Sequence, residues 1–176
     1  RMGRQWIDGA PPSPGAIESF NIVFMPVLEA LPEASSINVG ASTGEGWMLM
    51  QHADGGWRNR ITDLNRWGRR HVFIDREPNG TVRRHRENID YDPRLRTWYT
   101  SAMALPGKVQ WTQPYAFFTT GDPGITASIS VPSADGRQFV IGIDLMLRDL
   151  SLKTMQARPG RNGLARTTVA PRSPAE

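Results

Sequence analysis

The sequence contains no cysteine. Disulfides, zinc–thiolate centres and thiol catalysis are therefore excluded, while the compartment stays open. It also lacks any apolar run of about 18 residues, the length a helix needs to cross a bilayer. No secretory signal pattern is visible. The chain opens abruptly at Arg1, as a domain cut from a longer protein would. Its three histidines, His52, His71 and His85, show neither HExxH nor Hx3H spacing, so no metal site is expected. There is no GxSxG elbow, no P-loop and no GxGxxG after a strand. Asp135-Gly136 sits in a turn and lacks the acidic ladder of a calcium loop. Asp63 and Asp75 are not flanked as paired catalytic carboxylates, and no nucleophile has a partnered base. A binding or structural module without a cofactor is expected, not an enzyme.

An overall basic character is also missing once the charge is located. The net charge is +4 over 176 residues. From Lys153 onward there are five cations, Lys153, Arg158, Arg161, Arg166 and Arg172, against Glu176 alone. Taking these from totals of 21 and 17 leaves 16 cations and 16 anions in residues 1–152. Arg66, Arg69, Arg70 and Arg76, then Arg83, Arg84 and Arg86, do cluster, but Asp63, Asp75, Glu77 and Glu87 are interleaved. That pattern reads as a solvated strand face, and a nucleic-acid partner is not expected.

What is present is an alternation of turns and short apolar runs. Gly (17) and Pro (14) are plentiful, which favours strands and turns over long helices. Residues 1–15 read as an irregular lead-in. From about Ala16 to Leu31 the positions Phe20, Val23, Phe24, Val27, Leu28 and Leu31 form one helical stripe. Pro26 should kink or split that helix. "SSINVGAS" (35–42) and "GWMLMQHA" (46–53) read as a hairpin closed by residues 43–46. Strands follow at "WRNRITDL" (57–64), "RRHVFID" (69–75) and "TVRRHREN" (81–88), the last two joined by the turn "EPNG". Asp92-Pro93 reads as a helix start, and Pro106-Gly107 as its end. Leu95, Trp98, Ala102 and Leu105 would share one face of this helix. Strands at 109–118, 124–133 and 137–147 are joined antiparallel by "TTGDPG" and "SADG". "RDLSLKTMQA" (148–157) reads as a closing helix. The remainder is poorly periodic and should be mobile alone. The fold class is α+β: a central antiparallel sheet, with helices expected on one face.

One constellation invites a chemical reading: Tyr91, Arg96, Trp98 and Tyr99, then Tyr115, then Asp144. They would meet in a pocket between the helix at 93–105 and the sheet. A guanidinium fork can pair both oxygens of a carboxylate. A Trp N–H and a Tyr O–H would complete its shell. Asp144 supplies a negative charge for an ammonium, so the set suits a free α-amino acid. The structural alternatives stay open. Trp98 can be core, Tyr91 can anchor a turn, and Arg96 can pair with Asp92. Asp144, alone in "FVIGIDLML", is costly to bury unless it caps a turn or answers a buried Arg.

These residues resemble a known family. "YDPRLRTWYTSA", "VQWTQPYAFF", "GITASISV" and "FVIGIDLMLRDLS" look like the membrane-distal half of double Cache sensor domains, over about residues 90–151. Residues 16–65 fit more loosely. The resemblance implies a PAS-like Cache fold, a central antiparallel sheet flanked by helices, as a sensor lobe over 16–152. Residues 153–176 would be a basic flexible tail, the remnant of a link to a second lobe. It implies the extracytoplasmic sensing part of a bacterial inner-membrane receptor, lying in the periplasm or outside the cell. The receptor would relay binding to a cytoplasmic output such as a cyclase, kinase, phosphatase, diguanylate cyclase or chemotaxis module. In the amino-acid-binding group the pattern is Tyr, Arg, Trp-Tyr, Tyr and Asp. It falls here on Tyr91, Arg96, Trp98, Tyr99, Tyr115 and Asp144. Arg96 and Trp98 are then implied for the ligand carboxylate, and Tyr115 and Asp144 for its ammonium. Ala116-Phe117 stands where amine-binding relatives tend to carry an acid, which speaks against a simple amine. The alternatives are a non-amino-acid carboxylate as ligand, or a ligand-free dimerisation lobe using Trp6, Trp57 and Trp67. A homodimer is one arrangement open to the parent.

Overall fold

The structure, a computed structural model, describes residues 17–149. The lead-in, the tail, Trp6 and all but Arg148 and Asp149 of the expected closing helix lie outside them. A first helix, α1 (Ile17–Ala30), runs through Pro26 as one element. Then come β1 (Ala34–Ala41), β2 (Glu45–Gln51), β3 (Trp57–Asp63), a single turn α2 (Leu64–Trp67), β4 (Arg70–Arg76) and β5 (Val82–Asn88). A 3-10 turn (Pro93–Leu95) and α3 (Thr97–Ala104) precede β6 (Gln110–Trp111), β7 (Tyr115–Ala116), β8 (Pro123–Pro132) and β9 (Gln138–Met146).

The strands form one antiparallel nine-stranded sheet in the order β5-β4-β3-β2-β1-β9-β8-β6, with β7 also on β8. The turn signals carry this topology. Gly44, Gly80 and Gly136 have positive φ in the β1–β2, β4–β5 and β8–β9 connections. The segment expected as one strand over 109–118 is instead two two-residue strands, β6 and β7. Between them Thr112 still donates its N–H to the Thr126 carbonyl at 3.0 Å, but Pro114 has no N–H to donate to the ladder.

Helices cover both faces of the sheet, not one. On one face α1 buries Ile17, Phe20 and Leu28 against Ile37, Val39, Trp47, Leu49, Ile61, Ile74 and Phe139. Each such side chain contributes roughly 1.5–3 kcal/mol when fully buried. The α1 contact includes a reciprocal amide pair, with Asn21 Nδ2 donating to Asn59 Oδ1 at 3.0 Å and Asn59 Nδ2 donating back at 2.8 Å. On the other face α3 packs Trp98, Tyr99 and Ala102 around Val140. Because side chains alternate along a strand, this second face receives Ser36 and Asn38 of β1, Arg60 of β3, Thr126 and Ser128 of β8, and Asp144 of β9, all buried. One face is therefore oily and the other polar yet covered.

The outer strand β5 is exposed along its whole length. Its arginines are partly paired: Arg83 with Glu77 at 2.9 Å and Arg84 with Glu18 at 3.8 Å. Charged side chains on an edge discourage pairing with another chain. Trp57 and Trp67, read as interface candidates, pack against the α1-side core. No helix among the described residues is long and apolar enough to cross a membrane.

Candidate functional site

The site starts from strand register. Ser36, Asp144 and Thr126 sit directly opposite one another on the neighbouring strands β1, β9 and β8. Their side chains share a face, so the carboxylate of Asp144 lies between two hydroxyls. Ser36 Oγ donates to Asp144 Oδ2 at 2.6 Å, and Thr126 Oγ1 donates to Oδ1 at 2.6 Å. Asn38 Nδ2 adds a donor to Oδ2 at 2.8 Å. Burial pushes the carboxyl of Asp144 up from its ordinary range, opposed by these hydrogen bonds and by the charge of Arg60. Among the described residues the acid neither caps a turn nor joins an ion pair; hydroxyl and amide donors on the adjacent strands hold it.

The same geometry fixes Tyr115. Its hydroxyl lies 2.6 Å from Thr126 Oγ1. Thr126 has one hydroxyl proton and gives it to Asp144, so Tyr115 must donate to Thr126. The lone pairs of the Tyr115 oxygen then remain free to accept. Burial and the nearby Asp144 push its phenol up.

The cover comes from the segment after β5. The helix expected from Pro93 to Leu105 is broken. Asp92 caps the 3-10 turn by accepting from the Arg94 N–H at 2.9 Å, and Arg96 then adopts an extended conformation (φ −84°, ψ 144°) before α3 begins. Two consequences follow. Leu95 turns outward and is 79% exposed, while Leu105 is 51% exposed; neither joins the expected apolar face. Asp92 pairs with Arg94 at 2.7 Å, not with Arg96. Arg96 is left to face the cavity, its guanidinium carbon 5.2 Å from the Phe118 ring centroid and 5.9 Å from that of Tyr91. Trp98 lies flat on the sheet because Gly40 and Gly142 leave room. A Cβ at Gly40 would stand 3.2 Å from Trp98 Cη2, and one at Gly142 would stand 3.2 Å from Trp98 Cε3.

The cavity so formed is tight: about 20 Å³ of it admits the centre of a water-sized sphere, room for about one water, within about 380 Å³ of empty space that includes its open mouth. Tyr91, Arg96, Trp98, Tyr115 and Asp144 all line it, together with Met50, Ser36, Asn38 and the loop residues Phe117 to Thr120. Tyr99 does not. One position further round α3 than Trp98, it is buried against Gly40, where its ring packs edge-on to Trp98 at 5.8 Å. Its role is to seat the helix.

Arg60 is the wall residue that sequence reasoning missed. It is only 3% exposed. Its guanidinium carbon lies 3.6 Å from the centroid of the Tyr91 ring, and Nη1 donates to Thr119 Oγ1 at 3.1 Å. Burial lowers its pKa, with Tyr91 and Asp144 acting against that shift. Tyr91 is in turn pushed up by burial while feeling the charges of Arg60, Asp144 and Arg96. The tyrosine ring thus stands among all three charges. Period-two alternation in "WRNRITD" held the signal, since Arg60 shares a face with Thr62 and opposes Met48 in the hairpin. Behind Tyr91 lies fully buried His71, whose Nδ1 is 2.9 Å from Thr62 Oγ1. Burial and the charge of Arg60 hold its pKa down to about 4, so the imidazole is neutral at pH 7. Among the described residues no group of histidines and carboxylates is placed to hold a metal ion.

No family model matches the chain. Over 68 residues, 39% of the chain, it is 43% identical to the methyl-accepting chemotaxis protein McpC of Bacillus subtilis, and that segment is 10% of McpC. It is 32% identical over 79 residues, 45% of the chain, to TlpB of the same organism, which covers 12% of TlpB. Among solved structures, it resembles the ligand-binding domain of the Campylobacter jejuni chemoreceptor Tlp3. The complex with L-valine gives a TM-score of 0.58 at 12% identity, covering 90% of this chain and 53% of that one. The complex with 4-methylisoleucine gives 0.57 at 14% identity, covering 88% and 48%. The chain thus spans about half the length of those solved domains and about a tenth of the curated receptors. The structural overlap shows the fold: the chain has the α+β fold of a chemoreceptor ligand-binding domain, the PAS-like Cache architecture that its motifs resemble.

Proposed function

We propose that this chain is the ligand-sensing part of a membrane-anchored bacterial receptor, exposed outside the cytoplasm, and that it binds a free α-amino acid. One observation carries the reading. A buried acid, Asp144, and the cation Arg96 line the same cavity, with Tyr115 and Trp98 beside them and no ion pair joining the two. In this reading the ligand ammonium sits at Asp144 and donates to the free lone pair of Tyr115. The ligand carboxylate sits at Arg96, with the Trp98 indole N–H beside it. Each charge-assisted contact contributes roughly 1.5–3 kcal/mol, enough in combination for affinity of about micromolar strength. The solved neighbour Tlp3 has been captured with L-valine and 4-methylisoleucine, which supports the ligand class by analogy of fold. The cavity has room for about one water as it stands, so an amino acid needs the cover segment carrying Arg96 and the loop carrying Thr119 to part, and ligand would favour the arrangement that seats it. An attached output module would read that shift through differential affinity for two arrangements.

The test is a thermal-shift screen of the chain against the twenty amino acids, followed by calorimetry. At about a hundred times Kd, a true ligand adds about 2.7 kcal/mol of stability. At least one amino acid should raise Tm, and Arg96→Ala should abolish that rise while the apo Tm stays close to wild type. Twenty null results, or an Arg96→Ala profile identical to wild type, would refute the proposal.

A further inference from the structure

Arg60 is the charge that a simple zwitterion leaves unanswered. It is buried on β3, and among the described residues it forms no ion pair. A buried cation with no carboxylate in contact is costly, and Asp144 acts on this one only through space. The Tyr91 side chain, which lies against it by both ring and hydroxyl, and the Thr119 hydroxyl are weak substitutes for a carboxylate. The guanidinium has five N–H donors, and Thr119 occupies one of them.

Counting charge sharpens the point. Among the described residues the cavity walls contain Arg60, Arg96 and Asp144 and no other ionised side chain. A zwitterion brings one charge of each sign and leaves the site at +1. A guest with one further negative charge leaves it neutral. Position agrees with charge. Arg60 opposes Met48, Met48 opposes Asn38, and Asn38 opposes Gly142, two residues from Asp144. Arg60 and Asp144 therefore stand three strand spacings apart on one face, roughly 14 Å across the sheet at about 4.8 Å per strand. Both line the same cavity. The gap between them suits a short carbon chain with an ammonium at one end and an acid at the other.

We propose that Arg60 selects ligands with a second carboxylate, so that the cavity prefers acidic α-amino acids over their neutral counterparts. This rests on the amino-acid reading above. Arg96 takes the α-carboxylate, Asp144 the ammonium, and Arg60 the side-chain carboxylate, as a bidentate pair in place of its contact to Thr119.

Calorimetric titration of the chain with L-aspartate, L-glutamate, L-asparagine, L-glutamine, L-leucine and succinate tests it. One of the acids should bind at least about tenfold tighter than its amide and than leucine. Arg60→Gln should collapse that ratio to within about twofold, chiefly by weakening the acid. Succinate, which lacks the ammonium, should bind at least about tenfold more weakly than L-aspartate. An amide or leucine binding as tightly as the acids overturns the assignment of Arg60 and leaves the amino-acid reading standing. So does an acid-to-amide ratio that survives Arg60→Gln. Succinate matching aspartate removes the amino-acid reading itself, whereas no binding by any of the six overturns the assignment of Arg60 and leaves that reading to the screen of all twenty. The wild-type acid-to-amide ratio decides the ligand class even if Arg60→Gln does not fold.

Discussion

Gly40→Ala tests how the cover is seated. An added Cβ would stand 2.9 Å from Pro93 Cβ, 3.1 Å from Tyr99 Cδ2 and 3.2 Å from Trp98 Cη2. Carbon atoms prefer about 3.5–4.0 Å, so the three neighbours must retreat by at least roughly 0.3–0.6 Å. None is the loose end of a flexible chain: Pro93 belongs to the 3-10 turn, and the two rings are buried under α3. Overpacking of this kind costs about 1–3 kcal/mol. At roughly 4 °C per kcal/mol for a domain of this size, Tm should fall by about 4–12 °C. The retreat also moves Arg96, which lies between Pro93 and Trp98 in the chain. A hydrogen bond stretched from about 2.8 Å beyond about 3.5 Å is effectively lost. Amino-acid affinity should therefore drop by about tenfold or more, without any change to a residue lining the cavity. Differential scanning calorimetry and a ligand titration measure the two effects. A Tm within about 1 °C of wild type together with unchanged affinity would refute the close-approach reasoning.

Other perturbations separate the parts. Asn21→Ala removes one half of the buried amide pair and leaves Asn59 short of a partner; chemical denaturation should show a loss of about 1–3 kcal/mol with ligand affinity unchanged. His71 has its folded pKa depressed to about 4, so the unfolded chain takes up the proton first as pH falls. Its contribution to stability is intact above about pH 6.5 and is lost on acidification toward pH 4, by roughly 3 kcal/mol at most. Against wild type, His71→Gln should flatten the stability profile between those limits; a parallel profile would contradict the assignment. Gly124→Ala puts a Cβ 2.0 Å from Phe117 Cζ and 2.7 Å from the Leu145 carbonyl oxygen, so it should displace this wall residue and weaken ligand binding as well as lowering Tm.

The strands were legible because each is bracketed by glycine, proline or asparagine, whose backbone preferences are local. The five strands from β1 to β5 fall within a residue or two of their expected bounds. The cover was not, because Asp92-Pro93 caps a 3-10 turn as readily as an α-helix. Nothing local announces the extended Arg96, and Leu95 and Leu105 were accordingly assigned to the wrong environment. The second covered face was hidden for a related reason. Ser36, Asn38, Thr126 and Ser128 alternate with apolar residues as solvent-facing positions do, yet α3 and the Phe117–Thr120 loop close over them. Polarity there marks a lined cavity, and only tertiary structure separates the two. Arg60 was missed on the same account: arginine in a strand usually faces water. Asp144 was readable because a lone acid in an apolar run has no such ordinary explanation, although its holders Ser36, Asn38 and Thr126 could not be named without strand register.

The most direct measurement is a crystal structure of the chain with the amino acid that raises Tm most. The ligand ammonium should lie within hydrogen-bond distance of both the Asp144 carboxylate and the Tyr115 oxygen, with the α-carboxylate on the Arg96 guanidinium. A ligand bound in the reverse sense, or outside the cavity between α3 and the polar face of the sheet, would contradict the account.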